Sequence, residues 1–161
     1  NVEREMLMTI DLLPSIAGII GATRPSHKID GLDVWPLIRG DEGAKNPHDG
    51  YAFYYENNQL QAVSSGDGLW KLQLPHTYRT LIGGKGGTGG KPSKYEPKKI
   101  EAPELYDLKA DIGETKNVAA EHPEIVEQLL AFAERVRGDL GDTLTQRRPT
   151  SARKPGLLPA P

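Results

Sequence analysis

Residues able to do chemistry are scattered through this sequence, and the densest group is His76, Tyr78 and Arg79 in "LPHTYRTL". An imidazole, a phenol and a guanidinium this close together could orient an anionic ester. A purely structural role for the three, where the chain leaves the third strand through Pro75, stands beside that reading. Just downstream, "GGKGGTGGKP" (83–92) adds Lys85 and Lys91 on a glycine-rich backbone that invites comparison with phosphate-binding loops. A nucleotide P-loop needs Gly, four residues, then Gly-Lys-Ser/Thr, because the hydroxyl holds magnesium and the next helix offers its N-terminus. Counting back from Gly90-Lys91, that first glycine position holds Lys85, and Pro92 follows without a hydroxyl. Gly84, Gly86 and Gly89 satisfy G-x-G-x-x-G, yet "KPSKYEPKKIEAP" follows with no helical stripe to receive a pyrophosphate. The loop is therefore read as flexible, its glycines serving reach or close approach.

Other chemistries find even less support. His27, His48, His76 and His122 form no i, i+4 pair with an acid at ligand spacing. His27 and His48 read as solvated turn residues, and His122 before Pro123 as a helix cap. Asp30 and Asp33 lack the dense oxygen run that calcium requires and read as turn and cap residues. Ser64 and Ser65 have no nucleophile-elbow flanks. With 0 Cys there is no thiol nucleophile, disulfide or thiolate zinc site in this chain.

The elements that must position these residues follow from pattern. "TIDLLPSIAGIIGA" (9–22) predicts a short helix capped by Thr9 or Asp11, with Leu12, Leu13, Ile16, Ala17 and Ile20 as its stripe and Gly21 as its stop. "DGLDVWPLIRG" predicts a turn and one helical turn with Trp35, Leu37 and Ile38 buried. "YAFYY" and "LQAVS" flank Glu56-Asn57-Asn58 as a hairpin, and "SGDG" turns the chain into "LWKLQL". "ELYDL" (104–108) predicts a fourth strand. "HPEIVEQLLAFAERVRGDLG" (122–141) is the clearest helix, with Pro123 at its first position and a stripe of Ile125, Val126, Leu129, Leu130, Ala133 and Val136. The fold class expected is α+β, a small four-stranded antiparallel sheet packed against a C-terminal helix, followed by a disordered Pro/Arg-rich tail at 142–161.

Composition fits that picture. The 161 residues are 26% charged and 37% hydrophobic, with 18 Gly and 13 Pro, as in a globular chain rich in loops. The net charge of -2 conceals segregation: residues 75–101 carry 6 basic against 2 acidic side chains, whereas residues 102–142 carry 4 against 10. The glycine loop therefore sits in a locally cationic segment that could attract an anion. The apolar run near Ile10–Ile20 is broken by Asp11, Pro14 and Ser15 and is too short to span a bilayer. The opening "NVEREMLMTIDLL" has no initiating Met and no visible signal peptide, and reads as the continuation of a longer chain.

Four stretches in order resemble the C-terminal part of the sulfatase family, of arylsulfatase type: "DLLPSIAGIIGA", "IDGLDVWPLIRG", "GDGLWKLQL" and "ELYDLKADIGETKNVAAEHPEIVEQL". The last is the most specific, with Leu105, Tyr106, Asp107, Leu108, Asp111, Glu114 and Asn117 in place. Ile112 stands where the family usually has proline, and Ser64 where arginine is common. The resemblance implies an alkaline phosphatase-like enzyme whose C-terminal subdomain packs a four-stranded antiparallel sheet on a helix. It implies residues 1–50 as the edge of the catalytic domain and connector, and 51–141 as the C-terminal subdomain. It implies a formylglycine nucleophile and calcium located upstream of Asn1, a missing N-terminal catalytic domain as partner, and a periplasmic or secreted location. On that reading the chain alone is inert. His76, Tyr78 and Arg79, with Lys85 or Lys91, would line the rim of the cleft and bind a sulfated small molecule or saccharide. The rival reading is a non-catalytic module that binds polyanions (nucleic acid or a membrane surface) through its basic loop and tail. Sparse interleaved aromatics and a mildly acidic chain weigh against it.

Overall fold

The computed structural model describes residues 5–151. A single 3-10 turn, Thr9–Asp11, leads into α1 (Leu12–Ile20), and a one-turn helix, α2 (Trp35–Arg39), follows. Strands β1 (Gly50–Tyr55), β2 (Gln59–Ser65) and β3 (Trp70–Gln73) form the meander. β4 (His76–Leu81) and β5 (Tyr95–Ile100) come next, then β6 (Glu104–Asp107) and α3 (Pro123–Leu140). The main sheet has the order β1-β2-β3-β6, every neighbour antiparallel, and β4 and β5 make a separate two-stranded hairpin.

The meander forms where the alternation predicts it, and its turn chemistry is local. Asn57 (φ 55°) and Asn58 (φ 61°) both take the left-handed conformation that asparagine tolerates better than most residues. A register shift opposite Phe53 and Tyr54 leaves Gln61 as an extra residue in β2. That bulge resets the two-residue alternation, so Leu60 and Val63 both reach the core that α3 covers. Leu72, Leu74, Leu105 and Val118 complete that core from the sheet side, with Leu129 and Ala133 from the helix. Each fully buried leucine contributes about 2 kcal/mol over an exposed one, which fixes α3 across the sheet. The stripe Ile125, Val126, Leu130 and Val136 packs around this cluster as its spacing predicts.

α1 behaves differently. Its N-cap Asp11 makes no side-chain cap bond to the helix. Of the predicted stripe only Ala17 is buried; Leu12, Leu13, Ile16 and Ile20 are at least half exposed, as is Ile19. In α2, Leu37 is buried, but Trp35 is only half-buried and Ile38 is exposed, so one of the three expected anchors is fully covered. The helix is too short to turn all three inward.

The chain after α3 is structured for longer than its composition implies. Asp142 is fully buried and pairs backbone with Arg147, while Thr150 donates to Gly138 O at 3.0 Å. Asp142 supplies the polar partner that a solvated tail would lack: its carboxylate accepts from Leu60 N, Leu144 N and Arg137 Nε at 3.2, 3.0 and 2.9 Å. Asp142 and Thr143 therefore close onto the start of β2 and its turn, Thr150 and Ser151 bond back to the end of α3, and residues 152–161 of the expected tail lie outside the described residues.

Candidate functional site

The β4–β5 hairpin carries the basic segment, and its two strands add to the four that the sequence pattern predicts, β5 being the less expected. Pro97 is the reason: a proline inside "YEPKKI" argues against a strand, but an edge strand of a two-stranded ribbon tolerates it. Here Pro97 lies opposite Arg79, Tyr95 opposite Leu81, Lys98 opposite Tyr78, and Ile100 opposite His76. At the tip, Gly89 (φ 60°) and Gly90 (φ 78°) turn the chain tightly enough to bridge Thr88 with Lys91. A Cβ on Gly87 would sit 2.0 Å from Lys91 O, so this glycine is needed for close approach. The loop folds back on itself; its amides do not form a nest at a helix N-terminus.

The five candidate residues do not converge on one point. His76 is buried at the root of the hairpin, with Nδ1 2.6 Å from Leu74 O and its ring 5.6 Å from that of Tyr78. Two-residue alternation then places Tyr78 and Arg79 on opposite faces. Tyr78 lies under Lys98 (5.9 Å from Nζ to ring centroid) and borders a 280 Å³ hollow with Lys71, Gln73, Glu104, Tyr106 and Glu114. Arg79 lies on the other face, its guanidinium 4.5 Å above the ring centroid of Tyr95. Lys85 and Lys91 sit further out in the exposed tip. Among the described residues, no carboxylate lies within ion-pair distance of Arg79, Lys85, Lys91, Lys94 or Lys98, whereas Lys99 pairs with Glu101 at 3.0 Å. The hairpin is a cationic projection with little internal neutralisation.

A groove of 680 Å³ opens between the hairpin and the β1–β2 turn, and both Tyr78 and Arg79 line it, with Tyr55, Glu56, Gln59 and Tyr95 among others. On the Tyr78 face the hollow is held by fixed polar pairs. Glu114, at φ 51°, accepts from Lys71 Nζ at 2.6 Å and from Gln73 Nε2 at 2.9 Å. Tyr106 donates to Glu104 Oε2 at 2.6 Å. Burial first, and then that bond to a carboxylate, push the Tyr106 hydroxyl well above the usual phenol range.

One buried polar centre has no signal in the sequence. Asp11 is fully buried and accepts from Met8 N (3.1 Å) and Leu32 N (2.9 Å), and its Oδ1 lies 2.8 Å from His48 Nε2. His48 was expected to be solvated; its side chain is 9% exposed because Asp11, far away in sequence, comes to meet it. Nothing in the turn "NPHDG" announces that partner. Around them Asn46 donates to Met6 O and Gly66 O, and the Tyr51 hydroxyl donates to Met6 O. His122 occupies the N-cap of α3 without a side-chain cap bond and instead stacks at 4.9 Å on Trp70. Among the described residues, no group of three or more His, Asp or Glu could hold a metal ion, and no helix is long and apolar enough to cross a membrane.

Sheet, covering helix and projecting basic hairpin together define an α+β module with one apolar helix, α1, left bare. The family model for the C-terminal region of aryl-sulfatase matches residues 46–159, and the chain belongs to the sulfatase family as such a C-terminal region. It is 30% identical to human (Homo sapiens) arylsulfatase A over 138 residues, covering 80% of this chain and 26% of that protein. It is 31% identical to mouse (Mus musculus) steryl-sulfatase over 164 residues, covering 92% of this chain and 25% of the relative. The chain thus spans about a quarter of the relatives it matches. A solved structure from Bacteroides thetaiotaomicron, described under the metabolism of multiple glycosaminoglycans, superposes with a TM-score of 0.55 at 26% identity, covering 79% of this chain and 24% of its own.

Proposed function

We propose that this chain is the C-terminal part of a sulfuric ester hydrolase, and that its β4–β5 hairpin borders the substrate cleft. The family match over residues 46–159 carries this reading. The bare face of α1 supports it too: Leu12, Leu13, Ile16, Ile19 and Ile20 are apolar and exposed, as a surface awaiting a catalytic domain should be. The nucleophile and metal that the family implies, formylglycine and calcium, do not fit the residues present. The chain has 0 Cys and no Ser-x-Pro-x-Arg, and the described residues hold no carboxylate cluster for a cation. Both groups are assigned to the preceding catalytic domain, and the chain alone is expected to be inactive. A secreted, lysosomal or periplasmic location accompanies this proposal.

The part this chain plays is electrostatic and steric. Arg79, Lys85 and Lys91 present positive charge with no carboxylate partner among the described residues, which favours a multiply charged sulfated saccharide over a singly charged aryl sulfate. Tyr78 and Lys98 present a second, more enclosed face. His76, held to Leu74 O, fixes the root of the hairpin; its replacement should read out in folding before specificity. The test is Arg79→Ala, and Lys85→Ala with Lys91→Ala, in the intact protein that carries this chain. The kcat/KM for a sulfated oligosaccharide should fall about tenfold at low salt, and by less near 1 M salt, where the screening length drops to about 3 Å. Specificity constants equal to the parent's on every sulfate ester would remove the hairpin from the cleft.

A further inference from the structure

We infer that His48 is a positioning residue. Its bond to the buried Asp11 carboxylate locks the angle between the unit made by α1 and α2 and the sheet, and with it the place of the β4–β5 hairpin beside the catalytic domain. The effect on turnover rests on the enzyme reading above, but the joint does not. α1 and α2 are held to each other, with Ser15 Oγ accepting from Val34 N at 2.9 Å. Among the described residues, none before Ala52 packs in the apolar core under α3. Units joined without a large apolar interface move relative to one another unless something else fixes them. Two exposed ion pairs cross to α3 from the first fifty residues, Lys28 with Asp139 at 4.0 Å and Asp49 with Arg135 at 3.0 Å, but pairs in water hold little.

The fixing is done by a polar knot with His48 at its centre. Asp11 Oδ2 accepts from Met8 N, and Oδ1 accepts from both Leu32 N and His48 Nε2. One carboxylate thus gathers the turn before α1, the loop before α2 and the connector to β1. A side chain on Gly31 would run into Ile10 O, and one on Gly66 into His48 O, so backbone meets backbone on both sides of the pair. On the sheet side, Gly66 N donates to Asp49 O at 3.1 Å. Asn46 accepts from His48 N through Oδ1 and donates to Gly66 O through Nδ2 at 2.8 Å. His48 therefore has its backbone against the β2–β3 turn and its ring on the start of α1. Among the described residues, no lysine or arginine lies within ion-pair distance of Asp11, so the imidazole is the side-chain partner of a carboxylate with no exposure. An Asp–His couple can also orient a general base, but a base must reach substrate, and this side chain is 9% exposed. β3 carries the effect to the hairpin. Its 4 residues put the hairpin root about 13 Å from the β2–β3 turn, so a rotation of about 5° at the knot displaces that root by about 1 Å. A misplacement of that size is enough to weaken a cleft contact.

The experiment uses the intact protein with spin labels at Glu42, in the turn after α2, and Glu127, on α3, read by pulsed dipolar spectroscopy. Steady-state kinetics with 4-nitrophenyl sulfate accompany it. The parent should give one narrow distance, and His48→Ala a distribution about twofold broader. His48→Gln, whose amide N–H can stand where Nε2–H does, should restore the narrow distance. His48→Ala should raise KM about threefold to tenfold with kcat within about twofold of the parent, since the reacting groups belong to the preceding domain, and His48→Gln should recover most of that loss. If His48→Ala does not fold, His48→Asn, too short to reach Asp11, takes its place. A distance as narrow as the parent's in these variants overturns the joint, and broadening with unchanged KM overturns the positioning role. Because the distances need no turnover, the two readings fail separately: broadening in a protein that hydrolyses no sulfate ester upholds the joint and refutes only the enzyme.

Discussion

Replacing Asp142 by alanine should unfold the join between α3 and the sheet more than any single apolar truncation at the surface. The carboxylate has no solvent exposure and serves four donors at once: Leu60 N, Leu144 N, Arg137 Nε and Thr145 Oγ1. Its loss strands the buried Leu60 N–H, which costs about 1–3 kcal/mol. It also leaves Arg137, whose side chain is 12% exposed, without its buried anion. Breaking a buried ion pair by removing one partner costs about 3–5 kcal/mol. The lower end applies, because Arg137 Nη1 keeps a 2.6 Å bond to Glu134, itself 58% exposed. Since the two losses overlap in one site, a total of about 3–4 kcal/mol is expected, lowering the melting temperature by roughly 10 °C in a unit of this size. Asp142→Asn keeps an oxygen for the backbone donors and should lose about half as much. Urea melts followed by circular dichroism measure both. A loss below about 1 kcal/mol for Asp142→Ala would refute the idea that this carboxylate ties the chain after α3 to β2.

Two further outcomes follow from the same geometry. Tyr54 donates to Gly141 O at 2.7 Å, and burial, reinforced by the charge of Asp142, pushes its hydroxyl up to about 12. Its folded-state value exceeds the unfolded one near 10, so the protonated native form adds stability that is intact below pH ~10 and lost as pH rises toward ~12. Spectrophotometric titration should show this tyrosine ionising with unfolding, and Tyr54→Phe should shallow that alkaline slope. On α1, Ile16→Ser and Ile20→Ser should leave the unfolding free energy of the chain within about 0.5 kcal/mol of the parent, because both side chains are already exposed. The same pair should reduce dye binding and self-association of the isolated chain, and an increase in either would argue against a docking face.

What could be read from the sequence was whatever depended on near neighbours. Alternation in "LWKLQL", the turn at Asn57-Asn58 and the stripe of α3 each arise within a dozen residues, and each forms as expected. The match of Glu114 and Asn117 to a family pattern also has a visible purpose: Glu114 holds Lys71, and Asn117 Oδ1 accepts from Leu105 N at 3.0 Å. Distant partners were illegible. His48 is buried by an aspartate outside its turn, and Asp142 is ordered by donors on another strand. Pro97 masked β5, which left Tyr95 out of the candidate residues and hid the fact that Tyr78 and Arg79 look in opposite directions. Ile38 and the α1 stripe were apolar at the right spacing, yet spacing says which side chains share a face, not whether the described residues contain anything to cover it.

The most direct measurement is the anion released by the intact protein that carries this chain, offered matched 4-nitrophenyl sulfate and 4-nitrophenyl phosphate. Membership of the sulfatase family predicts sulfate release with a kcat/KM well above that for phosphate. Release of phosphate alone would contradict the assignment to sulfuric ester hydrolysis.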